Sequence, residues 1–119
     1  MKSIENTMPI NYNKLMQSPV LSKETLSPSL SGRASYYNKA KIYTLKNGVK
    51  LLRSYDTIVA FYYQDPKTQE EYYAINGKYS ATTTVHQRDF LYQLAGVDVP
   101  ARNLTKYVQD FNESLQEKR

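Results

Sequence analysis

Hydrophobic and polar positions alternate most clearly in the middle of the chain. Lys41-Ile-Tyr-Thr-Leu45 and Val49-Lys-Leu-Leu-Arg53 flank the turn signal Asn47-Gly48 and predict a β-hairpin. The turn type follows from what each loop would bring together. A two-residue type I′ loop sets Leu45 against Lys50 and Tyr43 against Leu52, which mixes the two faces. A three-residue loop with Gly48 as a left-handed bulge opposes Leu45 to Val49 and Tyr43 to Leu51, gathering the apolar side chains on one side. The bulged form is therefore expected. The second strand continues through Thr57-Ile-Val-Ala-Phe-Tyr-Tyr63, the loop Gln64 to Glu70 carries Asp65-Pro66 as a turn initiator, and Glu71 to Ile75 returns antiparallel. The pattern predicts a three-stranded antiparallel meander over about 41–76.

Beyond Asn76-Gly77 the period changes to that of a helix. Candidate caps run from Ser80 to Thr84, with Thr84 and Gln87 at capping-box spacing, and Gly96 terminates a helix over about 82–95 whose buried stripe is Phe90, Leu91 and Leu94. A second helix is predicted over about 100–117. Pro100 suits its first position, and Ala101, Leu104, Val108, Phe111 and Leu115 recur at three and four residues, as a core face or a homodimer seam does. Residues 1–35 are polar and serine-rich, with apolar positions too sparse to hold a period, and read as an extended N-terminal arm. A short helix around Tyr12 to Gln17 fits there, stopped by Pro19. The expected architecture is α+β: the arm, then a single domain over 36–119 made of a three-stranded antiparallel β meander followed by two α-helices.

Composition narrows the class. A chain of 119 residues supports one domain with one core, and the absence of cysteine leaves packing as the source of stability, in keeping with a reducing compartment. No apolar run reaches the roughly 18 residues of a membrane span, and the first residues lack a signal-peptide core. A cytoplasmic protein is expected. Its net charge of +5 is unevenly spread: no acid lies between Thr25 and Tyr55, whereas Arg33, Lys39, Lys41, Lys46, Lys50 and Arg53 do, interleaved with Tyr36, Tyr37 and Tyr43. Cations neutralise phosphates and tyrosine rings stack on unpaired bases, so this mixture suits a nucleic-acid or acidic-protein surface. The plain alternative is a solvated basic edge that keeps the sheet from pairing with another molecule. The expected binding residues are Tyr36, Tyr37, Lys39, Lys41, Lys46, Lys50 and Arg53, with Tyr62 and Tyr72 as an aromatic platform. The doublets Tyr62-Tyr63 and Tyr72-Tyr73 put tyrosine on both sides of the sheet, so one of its faces needs a second cover or a partner.

Catalytic signals are thin. His86 is the single histidine, no GxSxG, HExxH or Walker pattern occurs, and Glu70 and Glu71 diverge as strand neighbours. His86 lies three residues after Thr83 and four before Phe90, on one helical face, where a packed, hydrogen-bonded histidine is expected. No enzyme activity, metal or cofactor is expected.

The run Ser54-Tyr-Asp-Thr-Ile-Val-Ala60, followed by Gly77-Lys-Tyr-Ser-Ala-Thr-Thr-Thr-Val-His86 and Phe90, resembles a family of small phage and plasmid proteins of Gram-positive bacteria with the pattern SYxTxVA and then YSxTTxxHxxxF. The resemblance covers Lys41 to Gly96 and names no reaction. It implies a mobile-element origin, where small proteins disarm host defence or assist DNA transfer and replication. Two functions are expected from it. One is an anti-CRISPR inhibitor that binds a host protein or ribonucleoprotein such as an RNA-guided nuclease; its basic charge argues against DNA mimicry. The other is a nucleic-acid-binding accessory protein.

Overall fold

The computed structural model describes residues 11–29, 36, 39–77, 81–109 and 111. Along the chain come α1 (Tyr12–Leu15), β1 (Val20–Thr25), β2 (Ala40–Leu45), β3 (Lys50–Ser54), β4 (Thr57–Gln64), β5 (Glu71–Ile75), α2 (Ala81–Ala95) and a 3-10 helix (Ala101–Tyr107). The strands form one antiparallel sheet of five in chain order. This corrects the expected architecture, which had three strands followed by two α-helices.

The correction has a physical cause at each of three places. First, the long second strand is two strands: Ser54 pairs with Thr57, and Tyr55-Asp56 reverses the chain. Tyr55 takes the left-handed conformation at φ 56°, where glycine or asparagine would have announced a turn. Second, β1 comes out of the arm. It is an edge strand in which only Val20 is buried, so it carries no apolar alternation, yet its backbone pairs with β2 from Val20↔Leu45 to Thr25↔Lys41. Third, the segment after Pro100 winds as a 3-10 helix and then leaves it. Val108 is extended and bridges Ile75 in parallel, while Gln109 N–H donates to the Ile75 carbonyl at 3.0 Å. Asn103, Thr105, Tyr107 and Val108 are weak helix formers, and the open edge of β5 offers hydrogen bonds in exchange. Leu115 lies outside the described residues.

The first hairpin has the expected bulged register. Tyr43 pairs with Leu51, Leu45 N–H donates to the Val49 carbonyl at 2.8 Å, and Gly48 sits at φ 96°. Asn47 ties this turn to the arm: its side chain accepts from Val49 N–H at 3.2 Å and donates to the Leu15 carbonyl at 2.9 Å.

Both faces of the sheet are apolar, and each has its own cover. On one, α2 lays Phe90 and Leu91 over Ile42, Leu52, Val59, Ala60, Tyr62, Tyr73 and Ile75, with Tyr36, Val99 and Leu104 closing the margins. On the other, Met16 and Phe111 pack against Tyr43, Leu45, Val49, Leu51, Ile58, Phe61 and Ala74, flanked by Tyr12 and Leu15 of α1. Tyr12 meets Phe61 edge-on at 4.7 Å and stacks on Phe111 at 5.9 Å. Val59 and Ala60 both reach the α2 face because β4 bulges there, the register shifting between Leu52↔Ala60 and Arg53↔Ile58. The carbonyl freed by the bulge accepts from Asn76 N–H and from the Gln87 side chain, each at 3.0 Å.

Two measurements test this double cover. Met16 is fully buried although it only follows a helix of four residues, so Met16→Ala should lower stability by about 2–5 kcal/mol, the cost of a core site. Leu21→Ala, at an exposed position, should change it by less than about 0.5 kcal/mol. Equal urea midpoints for the two variants would mean that this segment does not cover the second face. Alkali gives an independent check. Burial first, then the charge of Tyr72, pushes the Tyr12 hydroxyl up to about 12 from 10.0, and burial likewise raises Tyr62 and Tyr73. The unfolded chain ionises these hydroxyls earlier than the folded one. The contribution of Tyr12 to stability is therefore complete below about pH 10 and disappears as the pH rises to about 12, those of Tyr62 and Tyr73 are likewise lost in alkali, and Tyr12→Phe should make the fall shallower.

Candidate functional site

The residues of the Ser54–His86 motif converge where β3 passes under α2. Ser54 lies 2.8 Å from His86 Nδ1 and 3.1 Å from the Thr83 hydroxyl. Thr83, His86, Gln87 and Phe90 share the buried stripe of α2, as their spacing of three and four dictates. Beside them the Tyr36 hydroxyl donates to Asp89, which also accepts from Ser29 N–H at 3.0 Å, and the Tyr36 ring stands edge-on to His86 at 4.5 Å. A serine hydroxyl on a histidine is the pairing that activates nucleophiles. Here Ser54 is 2% and His86 1% exposed, which keeps the pair from any substrate, and Asp89 accepts from Tyr36 and Ser29. What this arrangement does is fix the helix on the sheet by satisfied buried hydrogen bonds, which tolerate only one register.

Just beyond Ser54 the second face of the sheet opens into a cleft of about 370 Å³ lined by Lys39, Lys41, Tyr43, Arg53, Tyr55 and Asp56. Register assembles it. Lys41 stands directly opposite Arg53, and the Lys39 carbonyl accepts from Tyr55 N–H at 2.8 Å, which brings the last residues of β2 and β3 level. Arg53, Lys39 and Lys23 have aromatic or acidic neighbours. Arg53 donates to the Tyr43 hydroxyl at 2.8 Å and meets Asp56 at 3.4 Å, Lys39 lies 5.8 Å from the centre of the Tyr55 ring, and Lys23 of β1 lies 5.2 Å from that of Tyr43. The Arg53–Asp56 pair is exposed on its acid side and contributes little to stability. Three cations against one carboxylate in its lining, with Lys23 beside Tyr43, give the cleft a positive character, and two tyrosines line it. Among the described residues no cluster of histidine, aspartate and glutamate is placed to hold a metal ion.

The expected binding residues are dispersed by the fold. Lys39, Lys41 and Arg53 line the cleft together. Lys46 is exposed in the β2–β3 turn at the other end of β2, about 20 Å away along the strand. Lys50 belongs to the opposite face, where it donates to Thr44 at 2.9 Å and pairs with Tyr62 across the strands. Tyr36 is core. Tyr62 is 9% exposed beneath the α2 side and donates to Glu71 at 2.6 Å. Tyr72 is half-buried on the other face, opposite Tyr63, so Tyr62 and Tyr72 do not form one platform. Tyr37 lies outside the described residues. Lys23 and Tyr55 were not foreseen, because β1 had no strand pattern and the Tyr55 turn no turn residue; Tyr55 was visible only as the second position of the SYxTxVA motif.

Residues 25–109 match a family model described as a family of unknown function, DUF8033. The chain belongs to this family. The DUF8033 match takes in β2 through the 3-10 helix, and with them the Ser54–His86 contact and the cleft except Lys23; α1, Met16, Val20 and Phe111 fall outside it. No curated protein and no solved structure matches the chain. No helix among the described residues is long and apolar enough to cross a membrane.

If the Ser54–His86 contact holds α2 in place, His86→Ala should cost about 2–4 kcal/mol, since it leaves both a cavity and a hydroxyl with fewer partners. Ser54→Ala, which removes less volume, should cost about 1–3 kcal/mol. Heat or urea denaturation reads both. Two variants as stable as the parent would show that the contact is dispensable and that the motif serves something other than the fold.

Proposed function

We propose that this protein is a non-catalytic binding protein that holds nucleic acid by its phosphates at the open end of its sheet. One observation carries this: Lys39, Lys41 and Arg53, scattered over fifteen sequence positions, are gathered into a single cleft with tyrosine rings between them. Such a site neutralises neighbouring phosphates and releases their counterions, which is the main source of affinity in nucleic-acid binding. The cytoplasm of a bacterial host is the place for it.

The resemblance to phage and plasmid proteins supports a second reading, in which the same cleft docks on an acidic patch of an RNA-guided nuclease or on its guide and so acts against CRISPR defence. Charge of one sign concentrated at one end speeds encounter with an acidic partner even where it adds little affinity. A pull-down from host lysate separates the two: a partner kept after nuclease digestion supports the inhibitor, and loss of every partner supports direct binding to nucleic acid.

Charge reversal tests the site itself. Lys39→Glu with Lys41→Glu should abolish binding of a fluorescent oligonucleotide, and at partial reversal, Lys41→Gln, should reduce the slope of log affinity against log salt by about 0.7 to 0.9. Lys46→Glu with Lys50→Glu removes as much positive charge from the acid-free segment and should leave affinity within about twofold. Equal losses from both pairs would mean that net charge, and not the cleft, carries the binding.

A further inference from the structure

We infer that Tyr55 is the stacking residue of the cleft and that the site takes a single-stranded nucleic acid, one unpaired base on the Tyr55 ring with its phosphate among Lys39, Lys41 and Arg53. This rests on the phosphate-binding reading above and goes further, from the presence of an anion site to the form of the ligand.

The conformation of Tyr55 is the first observation. It occupies the first position of a two-residue hairpin loop at φ 56°, and of the described non-glycine residues only Gln69 shares a positive φ. A positive φ at that position is adopted most cheaply by glycine; a bulky aromatic side chain is strained in it. Strain of this kind persists where the surroundings hold it and clusters at ligand sites. The second observation is that the fold gains little from the ring in return, for Tyr55 is 51% exposed. Third, the ring is held in place. It leans on the buried His86 ring at 6.1 Å, Lys39 Nζ stands over it at 5.8 Å, and the residue lines the cleft. A held, half-exposed ring whose covering lysine a base can displace toward the phosphate matches a ligand that is flat and apolar in one part and anionic in the next. A nucleotide unit has that form. The bases of a duplex are already stacked on one another and present no free face, whereas those of a single strand do. At about 370 Å³ the cleft is also at the small end of ligand sites, which span about 300–1,000 Å³, and suits one nucleotide unit better than the width of a double helix.

The test compares an oligothymidylate with the same strand annealed to oligoadenylate, each labelled and titrated by fluorescence anisotropy. The parent protein should bind the single strand more tightly. Tyr55→Gly and Tyr55→Leu should each lower the ratio of single-strand to duplex affinity by about 5- to 150-fold, the equivalent of one stacked base, and Tyr55→Phe should keep it. Tyr55→Gly should melt no lower than the parent because it relieves the strained turn. Equal affinity of the parent for both forms, an unchanged ratio in Tyr55→Leu, or a large drop in the melting temperature of Tyr55→Gly overturns the inference. If Lys39→Glu with Lys41→Glu abolishes binding while the Tyr55 variants change nothing, stacking falls and the phosphate site stands. A parent protein that binds neither probe overturns both.

Discussion

A sheet with two apolar faces needs two covers, and the described residues hold one full-length helix. That constraint shapes the rest of the molecule. α2 takes one face, and the other is left to Met16, Phe111 and the single turn of α1, all at the end of the sheet where Asn47 binds the Leu15 carbonyl. Among the described residues this cover stops short of the far end. There the face is finished by the Tyr43 ring and the stems of Lys23, Lys41 and Arg53, which lie along apolar surface and keep their charges in water. Among the described residues the cleft is thus the uncovered remainder of the second face.

The first cover is held by polar groups as much as by apolar ones. Of the buried residues of α2, Thr83, His86, Gln87 and Asp89 are polar, and each is matched: to Ser54, to the bulge carbonyl of Val59, or to Tyr36. Among the described residues no buried side-chain nitrogen or oxygen lacks a partner. Leaving one unmatched costs about 1–3 kcal/mol, so a helix shifted by a turn would lose several such bonds at once. Ser54, held in this way, is the residue before Tyr55. The contact that orders the buried face therefore also fixes the turn that borders the cleft.

How much could be read from the sequence depended on whether backbone conformation and residue type agreed. At Asn47-Gly48 they agree, and the register of the first hairpin follows from the apolar pattern alone. The return of β5, the end of α2 at Gly96 and the buried Phe90, Leu91 and His86 were legible for the same reason. At Tyr55 they disagree, and one strand was expected where there are two. β1 was hidden because an edge strand gains stability from backbone pairing while its side chains face water, so its pattern is that of an arm. The predicted last helix had apolar residues at helical spacing, but Leu104 packs on the α2 side and Phe111 on the other, which no single straight helix face allows. For the site, the acid-free segment correctly drew attention to Lys39, Lys41 and Arg53. It also included Lys46 and Lys50, since charge along a sequence carries no information on which face a strand residue takes until the register is known.

Two local costs meet at the same end of the sheet. Lys41 and Arg53 are like charges directly across a strand pair, an arrangement that destabilises by a few tenths of a kcal/mol up to about 1 kcal/mol. Tyr55, next to them, holds a backbone conformation that favours glycine. Neither feature is needed to close the hairpin or cover the core, because a neutral pair and a glycine turn would do both. The tyrosines offset part of the repulsion through their ring faces, but the largest relief open to such a cluster is an anion placed between its cations. Elsewhere in the described fold Gln69, at φ 67° in the β4–β5 loop, is a further such departure, whereas Gly48 in its bulge, Gly96 after its helix and the partners of the buried side-chain polar atoms agree with the fold. Departures from that agreement are where function is to be sought, and at the cleft two of them, a like-charged pair and a strained tyrosine, stand side by side.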